Sequence, residues 1–318
     1  MNTPARLGLY GLCLVAAFGA AFAVSAAVAP PELAAERAAA VEGAHGEGHS
    51  SSTDNAAGGE VTEALLPGLS LSQSGFTLQP IEAPHAVGDT GTLAFTIVDE
   101  TGEPLTEYEI EHEKELHLIV VRSDGSQFRH VHPTMDDHGT WSIPWEWAEG
   151  GSYRVFTDFT PQGAEDGITL GRTVLVDGNF EAAHLTAEER VSEVDGYTAT
   201  LVGDLSSGGE STLTVEISKD GKPVTNIEPY LGAFGHLVAL RDGDLAYLHV
   251  HPTGAEPKAG ELSGPEVSFA TEAPTAGRYL LYFDFQVEGK THSAAFVLTT
   301  GEGNGEAAAS HDDEEAAH

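Results

Sequence analysis

The chain has 318 residues, 41% of them apolar, so two ordinary domains with their own cores fit within it. Asp and Glu number 50 against 14 Lys and Arg, a formal charge of −36 that repels nucleic acid and anionic lipid and attracts cations. A single cysteine, Cys13, excludes an intrachain disulfide and a thiolate metal cluster.

The first element is the uncharged run LGLYGLCLVAAFGAAFAVSAAVA, residues 7–29, long enough to span a bilayer as a helix. Arg6 precedes it and Glu32 and Glu36 follow, so the positive-inside rule puts the N-terminus in the cytoplasm and the rest outside. A cleaved signal peptide is the alternative, because small residues abound near Ala27. Either reading places the body outside the cytoplasm. Residues 30–66 are rich in Ala, Gly, Ser and Glu, with His45 and His49, and read as a disordered tether. Residues 301–318 form a similar acidic tail containing His311 and His318. Solvated tails are the simplest account of both, although such histidines could gather metal weakly.

Between the tails the pattern predicts an all-β fold. Short alternating runs (GTLAFTIVDE, SYRVFTDFT, RTVLVDG, then STLTVEISKDG, RYLLYFDFQ, SAAFVLTT) are separated by Gly-, Pro- or Asp-rich turns. Helical periodicity is confined to HLTAEERV, residues 184–191, which suits a connection between domains. The two halves repeat: Pro104, Thr106, His117, Arg122, His130, Val131, His132 and Pro133 match Pro223, Thr225, His236, Arg241, His249, Val250, His251 and Pro252 without a gap. Each copy also carries Gly, one residue, then Tyr before a strand (GSYRVF and GRYLLY), the signature of a tyrosine corner. Two tandem immunoglobulin-like β-sandwich domains are therefore expected at 67–178 and 191–300, joined by a linker at 179–190, after an N-terminal transmembrane or signal helix.

The repeated segments HLIVVRSDGSQFRHVHP (117–133) and HLVALRDGDLAYLHVHP (236–252) read as hairpins. In the first, a two-residue Asp124-Gly125 turn would pair Ser123 with Ser126, Val121 with Phe128, Ile119 with His130 and His117 with His132. Side chains alternate along a strand, so His117, His130 and His132 share one face. Opposed Cβ atoms lie about 5 Å apart, and imidazole nitrogens bind zinc at about 2.0–2.1 Å, so three rings can converge on one ion. In the second copy, a turn at Asp242-Gly243 or Gly243-Asp244 keeps His236 on the face of His249 and His251. A three-residue loop or an added bulge would break this geometry.

Imidazole ligands suit zinc, copper, nickel and iron; copper stands near the top of the Irving–Williams order and is favoured, with zinc next. The expected metal ligands are His117, His130 and His132, and His236, His249 and His251. Glu115, two residues before His117, is a candidate fourth ligand of the first site, where the second copy has Phe234. His112, His138 and Met135 occur only in the first copy and His292 only in the second. Asp158 and Asp284 match between copies; they could orient a histidine, but an exposed strand or turn acid is the simpler reading.

The HLIVVRSDGSQFRHVHP hairpin resembles that of bacterial membrane-anchored or secreted proteins described as heavy-metal-binding, whose β-sandwiches are similar in kind to copper-resistance and cupredoxin-like domains. The resemblance implies an extracytoplasmic metal-binding protein; metal sequestration or delivery without catalysis is the expected task, with no delivery partner identified. The Cys-His-Met set of blue-copper carriers and an amino-terminal histidine after a clear cleavage site are both lacking.

Two other readings stand beside it. Gly243, His249, His251 and Glu256 follow a cupin pattern, although Gly264 is one residue late and the second cupin motif is missing. An interaction module could instead use Trp141, Trp145 and Trp147 of WSIPWEW as a contact patch, a core role being simpler for at least one of them. No Ser-His-Asp set, P-loop or dinucleotide fingerprint stands out.

Overall fold

The computed structural model describes residues 66–183, 187–248, 250–258 and 260–301, and not the side chain of His251. The segment at 7–29, nearly all of the 30–66 tether, almost all of the acidic tail, residues 184–186 of HLTAEERV and His249 lie outside the described residues. Within them every regular element is a β-strand, and no helix is long and apolar enough to cross a membrane. The described part of HLTAEERV is not helical: Glu189 bridges Val297 and Val191 opens a strand.

Alternating side chains bury one face of the outer strands. Thr90–Val98 sends Leu93, Phe95 and Ile97 inward, and Glu210–Lys219 does the same with Leu213, Val215 and Ile217. In the first sandwich the outer sheet runs Ser72–Gln73, Phe76–Leu78, Thr90–Val98, Thr140–Glu146, Thr134–Met135. Its partner sheet runs Arg129–Val131, His117–Arg122, Gly151–Phe159, Ile168–Val176. The second sandwich repeats both. Its outer sheet is Val191–Val194, Tyr197–Val202, Glu210–Lys219, Glu266–Glu272, Val250–Pro252, and its partner sheet Tyr247–Leu248, His236–Arg241, Arg278–Val287, Lys290–Thr299. All of these pairings are antiparallel. Each sandwich has its own core, so the fold is two tandem immunoglobulin-like sandwiches. A cupin barrel spanning both halves is ruled out, and Glu256 of that pattern is exposed.

The tyrosine corners are present in both copies. Tyr153 Oη donates to the Glu149 carbonyl at 2.8 Å and Tyr279 Oη to the Thr275 carbonyl at 2.9 Å, each four residues upstream. Both rings are almost wholly buried. Tyr153→Phe and Tyr279→Phe should each cost about 1 kcal/mol by denaturant titration, one net hydrogen bond plus part of an orphaned carbonyl. A cost indistinguishable from zero at both would show that the corners are ornamental. Trp141, Trp145 and Trp147 are 2–3% exposed and belong to the first core, which removes them as a contact patch.

A third apolar cluster lies between the sandwiches. Ile119, Val121 and Phe156 of the first meet Val238, Leu240, Leu280 and Tyr282 of the second. The strand His117–Arg122 is buried on both faces: Leu118 and Val120 enter their own core, while Ile119 and Val121 enter this junction. The two hairpin-bearing sheets thus pack against each other. Phe128 stacks on Tyr282 with ring centroids 4.0 Å apart, and Tyr282 Oη donates to the Gly125 carbonyl at 2.5 Å.

Candidate metal centre

The first hairpin closes differently from the expected two-residue turn. Gly125 N–H donates to Arg122 O and Arg122 N–H to Ser126 O, a three-residue loop with Gly125 at φ +81°. Alone, that loop would slip the register by one and turn His130 to the other face. Gln127, at φ +56°, is an extra residue on the return strand and restores the register, so Ile119 pairs with His130 as anticipated. In the second hairpin Arg241 N–H bonds Ala246 O around a longer loop, and Ala239 pairs with Leu248, the register of the Gly243-Asp244 alternative.

His117, His130 and His132 converge, with one ring nitrogen from each lying within 4.8 Å of the others. His117 Nδ1 is 3.0 Å from His130 Nε2 and 3.1 Å from His132 Nε2. Tetrahedral ligands about 2.0–2.1 Å from one ion would stand roughly 3.3 Å apart, so the spacing is close to that of a bound set.

The outward nitrogens are engaged. His117 Nε2 lies 3.2 Å from the Glu111 carbonyl oxygen, and His130 Nδ1 lies 2.9 Å from Asp284 Oδ2 of the second sandwich. Asp284 is 4% exposed, and its other oxygen accepts the Ser293 hydroxyl. It is therefore no exposed strand acid. Asp158, at the same register position opposite His117, accepts from Thr169 at 2.8 Å.

Burial, then the neighbouring imidazoles His130 and His132, push the His117 pKa down to about 2. Burial first, with His130 and Lys114, takes His132 to about 3. Both rings are neutral near pH 7, the form that binds metal.

Glu115 does not join the cluster. It is exposed, in the bend before the strand begins at His117, so strand alternation does not extend to it. The neighbour of the cluster is instead His236, whose ring centroid is 6.4 Å from His117 and 6.2 Å from His130. His236 Nε2 bonds the Tyr230 carbonyl at 2.9 Å, the counterpart of the His117–Glu111 contact. The same two-residue turn builds both acceptors: reciprocal hydrogen bonds close Glu111 with Lys114 and Tyr230 with Ala233. Burial, partly opposed by the Tyr230 carbonyl, brings the His236 pKa down to about 4. His251 pairs along the backbone with Ala270, and no second cluster forms among the described residues.

His112, in the first of those turns, stacks edge-on to His236 at 5.1 Å. With His117, His130 and His236 it lines a cavity of about 100 Å³. The remaining sequence candidates lie elsewhere. His138 is exposed, Met135 packs on the first core, and His292 is bound to Asp195 at 2.8 Å.

A family model described as "Domain of unknown function (DUF8832)" matches residues 72–175 and 192–302. The chain belongs to that family. Its two matched segments coincide with the two sandwiches. No curated protein matches the chain. Among solved structures, it is similar to the bacterial integrin-binding protein invasin at 15% identity, over 71% of this chain and 39% of that one, with a TM-score of 0.21. The adhesin InvE of Yersinia pseudotuberculosis is 13% identical over 73% of this chain and 60% of its own, with a TM-score of 0.22. The Salmonella alpha-2-macroglobulin reacted with methylamine is 15% identical over 76% of this chain and 16% of its own, with a TM-score of 0.25. The chain thus spans well under half of invasin and of the macroglobulin. The family description names neither a metal nor a copper protein, and the part of the hairpin resemblance that the structure meets is the sandwich fold.

Proposed function

We propose that the protein binds a transition-metal ion, copper or zinc, through His117, His130 and His132. The observation that carries this reading is a conflict of lone pairs. The Glu111 carbonyl and the Asp284 carboxylate accept hydrogen bonds, so His117 Nε2 and His130 Nδ1 carry the protons. In the neutral rings that bind metal, His117 Nδ1 and His130 Nε2 then face each other 3.0 Å apart without one. His132 Nε2–H can donate to His117 Nδ1 across 3.1 Å, but that leaves the His117–His130 contact unresolved. A cation between the rings resolves it. Carbonyl and carboxylate partners on the far side of metal-bound imidazoles are also the usual support of such a site. Three imidazoles leave a fourth position open for water or another ligand. The repeated spacing makes His236, His249 and His251 a second proposed site, resting on sequence alone. Zinc and copper titration of wild-type and histidine-replaced chains tests the reading, and unchanged binding without the three histidines overturns it.

A second reading makes the chain a non-catalytic surface module in which the histidines are structural. It is favoured by their place at the sandwich junction, where the His130–Asp284 contact joins the two domains.

We also propose that the body is extracytoplasmic, held by residues 7–29. Protease added to intact cells should cut within residues 40–60; protection until lysis would reverse the orientation.

A further inference from the structure

We propose that the first-domain metal site is completed by the second domain, with Asp284 as the positioning residue for His130. This rests on the metal-binding reading and assigns a role to a residue outside the hairpin. Asp284 sits opposite Ser293 in its own sheet and takes that hydroxyl on Oδ1. Its remaining oxygen, Oδ2, reaches across the junction to His130 Nδ1 at 2.9 Å. Both side chains are enclosed, at 4% and 6% exposed, so water does not compete for the contact.

The hydrogen bond does two things. It keeps the His130 proton on Nδ1, which leaves Nε2 bare and directed at the cluster, and it holds the plane of the ring. His117 has an analogous partner from its own domain, the Glu111 carbonyl. His130 has its partner only through the docked second domain. The Phe128–Tyr282 stack and the Tyr282–Gly125 hydrogen bond hold the Asp284 strand in place; Tyr282 lies two residues before Asp284, on the same face. Affinity at the first domain's histidines therefore depends on the second domain, and by linkage a bound ion strengthens the docking of the two.

The test uses the full chain with His45, His49, His311 and His318 replaced by Ala, titrated with zinc and, for its ligand-field spectrum, cobalt(II). Asp284→Asn should weaken zinc binding at the first site by about 10- to 100-fold and alter the cobalt spectrum. Asp284→Glu should recover part of the affinity. Tyr282→Phe removes a junction hydrogen bond without touching Asp284 or His130; it should lower the melting temperature and leave affinity within about twofold. If the Asp284→Asn chain binds as tightly as the parent while the His117/His130/His132→Ala chain has lost the site, the inference falls and the metal reading stands. Equal losses from Asp284→Asn and Tyr282→Phe would reduce Asp284 to a docking contact, which also overturns it. If the triple-histidine variant binds as the parent does, the metal reading itself fails.

Discussion

Replacing His117, His130 and His132 together by Ala should remove one equivalent of bound zinc or copper and leave the equivalent assigned to the second hairpin. The effect should be the loss of a site, not a graded weakening, because no other cluster of three ligands forms among the described residues around it. Glu115→Gln should leave affinity unchanged, since its carboxylate is exposed and outside the cluster. Thermal melts give an independent readout. An ion that binds only the folded state at 100 times its dissociation constant adds about 2.7 kcal/mol, so zinc should raise the melting temperature of the parent more than that of the variant. If the variant keeps the parent's stoichiometry and response to zinc, the three rings are packing at a domain junction and the surface-module reading takes over.

Much of the fold was legible because the outer strands alternate so cleanly. LAFTIV and LTVEIS bury every second residue, and the Gly-x-Tyr segments mark both corners. The convergence of the first three histidines was also readable, although for a partly mistaken reason. The turn is one residue longer than Asp-Gly suggests, and the Gln127 bulge compensates; a non-glycine residue at positive φ carries no strong sequence signal. That Asp284 could orient a histidine is readable from its match with Asp158, but that the histidine is His130 of the other domain is not. Pairing rules act within a sheet, and nothing in one sheet's register brings Asp284 to His130, 154 residues away. A signal for the junction did exist. HLIVVR and HLVALR do not alternate, the pattern of a strand covered on both faces, which implies that something packs outside each sandwich. Strand alternation does not reach Glu115, which lies exposed in the bend before the strand opens at His117.

The second large effect is expected at the tip of the first hairpin. Asp124 accepts hydrogen bonds from Arg122 Nε at 3.0 Å and Nη2 at 2.8 Å, from Ser126 Oγ at 2.8 Å, and from the Ala183 N–H at 2.8 Å. It thereby ties the hairpin loop to the chain leaving the first sandwich. The two side chains are only 3% and 9% exposed. Asp124→Ala would leave Arg122 enclosed with Glu149, whose side chain is 47% exposed, and the Glu181 carbonyl. Breaking a buried pair in this way costs about 3–5 kcal/mol, and the surviving partners put the expected loss near about 3 kcal/mol. The second copy supplies a control with the same chemistry. Arg241 and Asp244 are 19% and 39% exposed, so Asp244→Ala should cost less than about 1 kcal/mol. The pH dependence has a definite sign. Burial alone would raise the Asp124 pKa, but Arg122 and the Ala183 and Ser126 donors outweigh it and hold it at about 2, below the ordinary 3.8. The unfolded chain therefore takes up this proton first as pH falls. The stability Asp124 contributes is complete above about pH 4 and is lost as pH drops through about 2. Chemical denaturation of the parent and the Asp124→Ala chain should show a wide gap at pH 7 that narrows towards pH 2. Equal losses at Asp124 and Asp244, or a gap that does not change with pH, would mean that burial of the pair does not set its strength.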